Sequence, residues 1–460
     1  MKGFLGSILL EKKKERWMIM QRQQITSYEQ AVDYLMDIPK FTSKHTPEDT
    51  QKHLHKLGDP DQKLHIIHVA GTNGKGSVCA YIRNILEAAG YTTTVFTSPH
   101  LVDIRERFLI KGEEVSKEAF LQAFLEVYDS LDWEHLEYHP TFFEYLFFMA
   151  MLLFAQAGAD YCILETGLGG RLDATNSVSE KELTVITRIG LDHVEYLGDT
   201  VEAIAGEKAG IMRPHVPCVC IDTEDATRSV FEEMAEKLQT PIYFLSQKDY
   251  TFVNFKNKSI DFSLQSEYYD YIRLTLHTHA LYQMENASLA VLAIGVLDEG
   301  RTVLSEHIRE GVANCVWQGR MEELLPRVYV DGAHNEDGIR AFLDSVKKDE
   351  CQGKRSLLFS VVQDKDYTNM IQNILQEDLF DRIAIAHMKT GRAAELERLQ
   401  AIFEKNGKKL SNCTYTLYEN VETALGELMN TREPDETIYI AGSLYLVGEI
   451  KELLGRKGTL

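Results

Sequence analysis

A glycine-rich loop, GTNGKGS at residues 71–77, constrains the fold of this chain more than any other stretch. It departs from the usual phosphate-loop pattern G-x-x-x-x-G-K-[ST], because Gly76 follows Lys75 and the hydroxyl comes one residue later, at Ser77. No glycine precedes it at the spacing that the pattern requires. The loop is therefore either a nucleotide site of another kind or a glycine-rich turn that contains a lysine.

The segments around this loop predict a strand–loop–helix–strand unit. The apolar, β-branched run at 64–70 predicts a buried strand, and 92–98 predicts the next one. Between them, apolar residues from 78 to 89 recur at helical spacing, and Gly90 ends the helix. The loop thus lies between a strand and the amino end of a helix, where backbone N–H groups and the helix dipole can bind phosphate.

The rest of the chain predicts two α/β domains. Continuous apolar runs at 159–166 and 183–190 are typical of parallel strands covered on both faces. Alternating polar and aromatic residues from about 240 to 280 indicate an antiparallel excursion, and 281–297 predicts a helix. A second α/β series begins near 317, with strands predicted at RVYVDGA, RSLLFSVV, RIAIAHM and TIYIAGS.

These patterns lead to three assigned segments. Residues 25–305 are expected to form the first domain, which carries the glycine-rich loop, and 306–460 a smaller α/β domain. Residues 1–24 are expected to be an extension, with Met18 and Met20 as alternative start positions.

The composition of the chain limits the kinds of partner that we expect it to bind. The formal net charge of −21 argues against nucleic acid, whose partners carry a basic face. The longest apolar run, 145–155, is well short of the ~20 residues of a spanning helix, so we expect a buried helix and no membrane partner. The seven cysteines form no C-x-x-C pair, which favours buried, reduced thiols and a cytoplasmic location.

Polar side chains follow three predicted strands of the first domain. Ser98 ends one strand, Glu165 ends another, and Asp192 and His193 follow a third. Each has a structural explanation, as a cap, a solvated strand end or a turn histidine. Together they lie at the edge that carries Lys75, where ligands of open parallel sheets bind. Oxygen ligands beside a phosphate loop predict a Mg²⁺ site.

A series of motifs connects the chain to a known family. The motifs occur in the order GTNGKGS, TSPHL, RERF, ETGLGGRLDATN, LDHVEYLGDT, GEKAGI, DGAHN, DKDY and GSLYL, and they cover nearly everything beyond residue 40. This set closely resembles the folylpolyglutamate synthase/dihydrofolate synthase family, relatives of the Mur ligases, whose loop is spelled GTNGKGS. The resemblance implies a P-loop-containing Mur-ligase-like ATPase domain with a mainly parallel sheet, followed by the smaller Rossmann-like domain.

The resemblance also implies a reaction. ATP and Mg²⁺, in two sites, would support the addition of L-glutamate to folates, and also to dihydropteroate, through an acyl phosphate. The expected partners are these small molecules, and the expected state is a monomer. The alternatives are a folylpolyglutamate synthase only, a Mur-type cell-wall amino-acid ligase, and an ATP-binding regulatory module without catalysis.

The resemblance also implies which residues form the site, because their positions match the functional positions of the family. The nucleotide contacts implied are Gly71, Thr72, Asn73, Gly74, Lys75, Gly76, Ser77, Asn286, Arg320 and Asp331. The metal positions implied are Ser98, Glu165, His193 and Lys208, the last carbamylated. Catalytic roles fall to Lys75, His193 and Lys208, and substrate contacts to Asp173, on the pteroate side, and His334. From the residues alone, Asp173 could have no role beyond capping a turn, and Lys208 could be a surface lysine paired with an acid.

Two departures from the family pattern stand out. Tyr282 occupies the place of the histidine that many members have before the nucleotide asparagine. The turn before DKDY reads VVQ, without the glycine or alanine of many members.

Overall fold

The structure is a computed structural model that describes residues 25–38, 45–133, 139–256, 258–299, 301–407 and 413–456. The expected extension at 1–24 lies outside the described residues. The described chain forms three sheets with helices around them, which confirms the α/β class.

The first sheet is mainly parallel. Its strands are β1 (Ile66–Ala70), β2 (Thr93–Phe96), β3 (Phe108–Ile110), β4 (Glu113–Glu114), β5 (Tyr161–Glu165), β6 (Leu183–Ile186), β7 (Cys218–Asp222) and β8 (Ile242–Ser246). They lie in the order β4–β3–β2–β5–β1–β6–β7–β8. The strands from β2 to β8 in that order are parallel, whereas β3 and β4 add an antiparallel edge. The strands predicted at 64–70, 92–98, 159–166 and 183–190 are thus confirmed as neighbours.

Helices cover both faces of this sheet. They are α1 (Tyr28–Asp37), α2 (Pro47–Lys56), α3 (Lys75–Ala88), α4 (Lys117–Ser130), α5 (Phe142–Ala157), α6 (Val194–Leu197), α7 (Val201–Ala209) and α8 (Asp225–Leu238). Helix α5 is buried from Glu144 to Phe154, as the apolar run predicts. Among the described helices, none combines the length and apolar composition that a membrane-spanning helix requires.

Burial on both faces explains why the central strands are continuously apolar. Ile67 and Val69 of β1 pack in one hydrophobic core, and Ile66 packs in the core on the opposite face. Side chains alternate along a strand, so a strand between two cores must be apolar at successive positions.

The predicted antiparallel excursion is a separate three-stranded sheet. Its strands are β9 (Tyr250–Lys256), β10 (Ser259–Ser266) and β11 (Asp270–Leu276), with β10 in the middle. The helices α9 (Gln283–Asp298) and α10 (Ser305–Ala313) follow. Helix α10 packs on α3, because Gly311 brings the two backbones together near Ile85. The division of the chain at 305/306 stays a prediction.

The second domain has its own sheet. Its strands are β12 (Glu322–Leu325), β13 (Val328–Val330), β14 (Arg355–Phe359), β15 (Arg382–Ala386), β16 (Thr414–Tyr418) and β17 (Thr437–Ala441). The order is β12–β13–β17–β14–β15–β16, and only β12 runs antiparallel to its neighbour. The helices are α11 (Glu336–Lys348), α12 (Tyr367–Glu377), α13 (Leu396–Gly407), α14 (Val421–Thr431) and α15 (Leu444–Arg456). The four predicted strands are confirmed, while β12 and β16 were not predicted.

The segment before α9 joins the two domains. Ala280 is fully buried in the core of the second domain, although it precedes a first-domain helix. The Leu281 peptide N–H donates to the Ser345 hydroxyl of α11 at 3.1 Å. The loops that follow β1 and β6 thereby face those that follow β13 and β14.

Candidate active site

The glycine-rich loop leaves β1 and enters α3 in a conformation that demands glycine. Gly74, directly before the helix, has φ +92°, and a Cβ there would lie 2.3 Å from Asn286 Oδ1. Gly71 has φ +148°, and a Cβ there would lie 1.8 Å from Thr187 Oγ1. Both positions combine a backbone that L side chains avoid with a close neighbour. The predicted position between a buried strand and a helix amino end is confirmed.

Two lysines converge on one carbonyl oxygen of this loop. Lys75 Nζ donates to Gly71 O at 3.0 Å and to Thr72 O at 3.3 Å. Lys208 Nζ, from α7, donates to the same Gly71 oxygen at 2.9 Å. Burial, and to a smaller extent the charge of Lys75, lower the pKa of Lys208 to about 7. Lys208 is therefore a buried amine and not a surface lysine.

The ends of β2 and β5 bring a carboxylate and a hydroxyl residue together. The Ser98 peptide N–H donates to Glu165 Oε2 at 2.9 Å. Burial raises the pKa of the Glu165 carboxyl, while Lys75, the Ser98 N–H, Arg320 and Arg107 oppose that rise. This buried carboxyl group lies among cations from both domains, next to the loop.

The loop after β6 meets the second domain at Asp192. Lys365 Nζ lies 2.5 Å from Asp192 Oδ1, and Asn335 Nδ2 donates to Asp192 Oδ2 at 3.2 Å. Burial favours a raised pKa for the Asp192 carboxyl, but Lys365, His334 and His193 lower it well below its usual range. Asp192 is consequently an anion that residues of the second domain surround.

Two histidines flank that anion. His334 Nε2 lies 3.7 Å from Asp192 Oδ2, and His334 Nδ1 is 2.7 Å from Gly332 O. His193 Nε2 lies 3.4 Å from Lys365 Nζ. Burial lowers the pKa of each imidazole to about 4, so both are neutral near pH 7.

The helix α9 connects the glycine-rich loop to the second domain at its first turn. Gln283 Nε2 donates to the Ser77 hydroxyl at 3.1 Å, and Asn286 Nδ2 donates to Gln283 Oε1 at 2.9 Å. One residue earlier, the Tyr282 hydroxyl donates to Asp331 Oδ2 at 2.6 Å. Adjacent residues of one helix end therefore contact the loop and the second domain.

Asp331 is held from several sides. The peptide N–H groups of Met321 and Ala333 donate to its two carboxylate oxygens at 2.9 and 2.8 Å. Burial raises the pKa of Asp331, and Arg320 opposes that rise. The Tyr282 hydroxyl stays protonated, because burial and Asp331 raise its pKa well above 10. It is a donor to Asp331 at neutral pH.

Asp173 lies in a turn that its own carboxylate stabilises. Oδ1 accepts from the Thr175 N–H at 3.0 Å and the Thr175 hydroxyl at 2.6 Å, and Oδ2 accepts from the Leu168 N–H at 2.8 Å. The side chain is buried, and burial raises its pKa. Asp173 thus shapes the loop after β5, while its contact with substrate stays a prediction.

Two cavities lie between the domains. A cavity of about 230 Å³ is lined by Gly76, Ser98, Glu165, Trp317 and Arg320, among others. A larger one, of about 980 Å³, is lined by Asp192, His193, Tyr282, Asn335 and Lys365, among others. Residues from both domains line each cavity, so the site lies at the domain boundary.

The structure brings together most residues that the motifs single out. Lys75 and Lys208 share one carbonyl, Ser98 contacts Glu165, and Asn286 lies against Gly74. Among the described residues, no three His, Cys, Asp or Glu side chains form a cluster that could hold a metal ion. The roles of the individual residues remain predictions.

Three residues that contact the loop or its neighbours had no assigned role: Asn335, Lys365 and Gln283. Asn335 follows His334 in DGAHN, Lys365 lies inside DKDY, and Gln283 follows Tyr282. Their positions inside or beside the family motifs could have marked them as site residues. Their hydrogen-bond partners, however, lie 262, 173 and 206 residues away in the chain.

The fold and the glycine-rich loop define a phosphate-loop α/β protein of two domains, and comparisons identify its class. A family model, Mur ligase middle domain, matches residues 69–294. A second, Dihydrofolate synthetase, C-terminal domain, matches residues 323–453. The Mur-ligase-like architecture expected from the motifs is thus confirmed.

Individual relatives cover nearly the whole chain. A dihydrofolate synthase/folylpolyglutamate synthase of Bacillus subtilis is 35% identical over 442 residues, covering 93% of this chain and 99% of its own. The structure of E. coli FolC in complex with DHPP and ADP matches with a TM-score of 0.81 at 28% identity, over 94% of this chain and 99% of that one. The Mycobacterium tuberculosis folylpolyglutamate synthase complexed with ADP and AMPPCP matches with a TM-score of 0.83 at 27% identity, over 93% and 98%.

The chain therefore belongs to the dihydrofolate synthase/folylpolyglutamate synthase family and, like its relatives, is an ATP-dependent ligase.

Proposed function

We propose that the protein joins L-glutamate both to dihydropteroate and to folates that already carry glutamate, with ATP as the phosphoryl donor. The observation that carries the proposal is the convergence of Lys75 and Lys208 on Gly71 O, beside Glu165 and between two domains. Such a site can hold a polyphosphate on one side and an acceptor carboxylate on the other. The names of the relatives and the molecules bound in their structures agree with these substrates.

The reaction has two steps. A carboxylate oxygen of the pteroate or folate attacks the γ-phosphorus of ATP, the bond to ADP breaks, and an acyl phosphate forms. The amino nitrogen of glutamate then attacks the acyl carbon, the bond to the phosphate oxygen breaks, and the amine loses its proton as the amide forms. Lys75 compensates the charge that develops on the transferred phosphoryl group. Water has to be kept out, since an acyl phosphate hydrolyses readily.

The residues at the ends of β2 and β5 suit Mg²⁺. Glu165 offers a buried carboxylate and Ser98 a hydroxyl, and such oxygens together with phosphate oxygens and water are the ligands that Mg²⁺ takes. When bound, the ion neutralises charge on the phosphates of ATP. At His193 the ammonium of Lys365 lies 3.4 Å from Nε2, so a second cation there requires Lys365 to withdraw.

Lys208 is proposed to carry a carbamate. Its amine is buried beside a second ammonium, and the lowered pKa of about 7 leaves much of it neutral at neutral pH. A neutral amine adds to carbon dioxide, forming an N–C bond and releasing one proton, which turns Lys208 into an anionic oxygen donor. This change also removes the repulsion between two lysines that share Gly71 O.

The acceptor assay tests the proposed function directly. Purified protein is incubated with ATP, labelled glutamate and either dihydropteroate or a folate monoglutamate, with ATP omitted as the control. We expect labelled product from both acceptors. Product from the folate alone would leave a folylpolyglutamate synthase only, and product from neither would overturn the proposal. A monomeric state and a cytoplasmic location stay predictions.

A further inference from the structure

We propose that Asn73 and Asn335 form an amide pair that transmits the position of the second domain to the phosphate loop, so that nucleotide binding and domain docking depend on one another. Asn73 lies within the loop, and Asn335 directly precedes α11 in the second domain. The inference rests on the proposed function only in that this loop binds nucleotide.

The two amides bond to each other in both directions. Asn73 Nδ2 donates to Asn335 Oδ1 at 3.2 Å, and Asn335 Nδ2 donates to Asn73 Oδ1 at 3.0 Å. Asn335 is only 5% exposed. Because separating the pair would leave the buried Asn335 amide and the half-buried Asn73 amide without these partners, each side chain holds the other in place. Reciprocal bonds also fix the relative orientation of the two amide planes.

Each amide is attached to a segment that is itself held. The Asn73 carbonyl accepts from the Thr187 hydroxyl at 2.7 Å, and its peptide N–H donates to Arg188 O at 3.3 Å. Asn335 caps α11, since its Oδ1 accepts from the Gly338 N–H at 2.8 Å. A movement of α11 is therefore transmitted to the loop directly, through the contact between these two side chains.

Asp192 reinforces the pair from the first domain. Its Oδ2 accepts from Asn335 Nδ2 at 3.2 Å, and its Oδ1 pairs with Lys365 Nζ at 2.5 Å. The same amide nitrogen of Asn335 thus serves the loop and the strand-end anion. Asn335 and Lys365 of the second domain both contact Asp192, at the edge of the sheet where the phosphates of a nucleotide would lie.

Linkage gives this contact a measurable consequence. A nucleotide that binds the loop better when the second domain is docked must, to the same degree, favour docking. Allosteric couplings of this kind are typically about 5- to 150-fold in affinity. Asn73 and Asn335 are accordingly positioning residues, which act through the loop backbone without touching the reacting atoms.

The substitution Asn335→Asp removes the donor that Asn335 offers to Asn73 and to Asp192. It keeps an oxygen to cap α11 but replaces the donating NH₂ by an oxygen that faces Asn73 Oδ1 and the Asp192 carboxylate. Asn420→Asp is the matched control, since Asn420 caps α14 through Thr423 N at 2.8 Å on the exposed surface. Calorimetry gives the affinity for ADP, and small-angle scattering tests whether ADP compacts the protein, both without folate or glutamate.

We expect Asn335→Asp to bind ADP about tenfold more weakly and to lose most of the ADP-induced compaction, while Asn420→Asp behaves as wild type. Both variants should still unfold in one cooperative thermal transition, with a lower Tm for Asn335→Asp because its new oxygen faces the Asp192 carboxylate. In an Asn73→Ala background, Asn335→Asp should cost less affinity than in wild type, because the partner is already gone. A wild type that ADP does not compact would overturn the inference. So would unchanged ADP affinity in Asn335→Asp, weaker affinity with full compaction, or an equal cost in both backgrounds. A wild type that binds ADP but never ligates glutamate would contradict the proposed function alone.

Discussion

The two halves of the site are built in different ways. In the first domain, the loop at 71–74, Ser98, Glu165 and the segment at 188–193 all follow neighbouring parallel strands, so the backbone of one sheet sets their positions. In the second domain, Asp331, Asn335 and Lys365 reach the site through side-chain contacts across the boundary. The first half exists wherever the sheet is folded, whereas the second half exists only while the domains are docked.

This difference predicts two classes of variant. Changes in the strand-end half, which is the set of first-domain groups just named, should lower ligation itself, because those groups are proposed to meet the transferred phosphoryl group. The docked half consists of Asp331, Asn335 and Lys365. Changes there should weaken nucleotide binding, because we propose that those groups set how the second domain closes over the loop. The predictions below separate the two classes, beginning with the largest effect.

Lys75→Ala should lower ligation by roughly 100- to 1,000-fold, as loss of one group that stabilises transition-state charge typically does. The fold should persist, since Lys75 is a partly exposed loop lysine outside the hydrophobic cores. The measurement is labelled glutamate incorporation, with Tm as the folding check and Lys63→Ala, an exposed lysine, as the control. Retention of more than about a tenth of wild-type activity would remove Lys75 from its assigned role.

Lys208→Ala should lower ligation by about 10- to 100-fold, the range for altered metal surroundings. Acetate should restore part of the activity, because a small carboxylate can occupy the space and charge of the lost carbamate. Lys237→Ala, on the exposed side of α8, is the control and should need no rescue. Electron density for a bare amine in a metal-loaded crystal at neutral pH, with no rescue by acetate, would refute the carbamate.

Acidification should reduce activity through the same lysine. Only the neutral amine adds carbon dioxide, and the pKa of Lys208 is lowered to about 7. Below that pH the amine is protonated, so activity should fall by roughly tenfold per pH unit, and bicarbonate should oppose the fall. The pH–rate profile of Lys208→Ala with acetate is the control. If it keeps the same acidic limb, Lys208 is not the titrating group.

The strand-end half was largely predictable from the residues. Apolar runs bounded by polar residues identified the strands that carry Ser98 and Glu165, because buried parallel strands have few other sequences open to them. The strands β12 and β16 were missed, since both lie at sheet edges and their residues are half-buried or exposed. An edge strand lacks the continuous apolar run that marks a central one.

The docked half was not predictable in this way. Asn335 and Lys365 meet partners 262 and 173 residues away, and which partners they meet depends on the angle between two domains. Local patterns encode strands and caps, but not that angle. The family motifs pointed to Arg320, Asp331 and His334 as site residues, and only the packed structure shows that Asp331 is held by Tyr282.

Tyr282→Phe gives the smallest expected effect and the sharpest test of the docked half. Loss of one hydrogen bond to the Asp331 carboxyl group, with Met321 N still donating to the same oxygen, should raise the KM for ATP about three- to tenfold. The kcat should change little, because the hydroxyl contacts Asp331 and not the reacting atoms. Tyr282→His, the residue of many family members, should recover most of the lost affinity, since an imidazole N–H can donate to the same carboxylate. Tyr329→Phe is the control, because this buried tyrosine has its hydroxyl 3.4 Å from His279 Nε2. A wild-type KM in Tyr282→Phe would mean that Asp331 is positioned by its two peptide donors alone, and the docked half would then depend on Asn335 and Lys365.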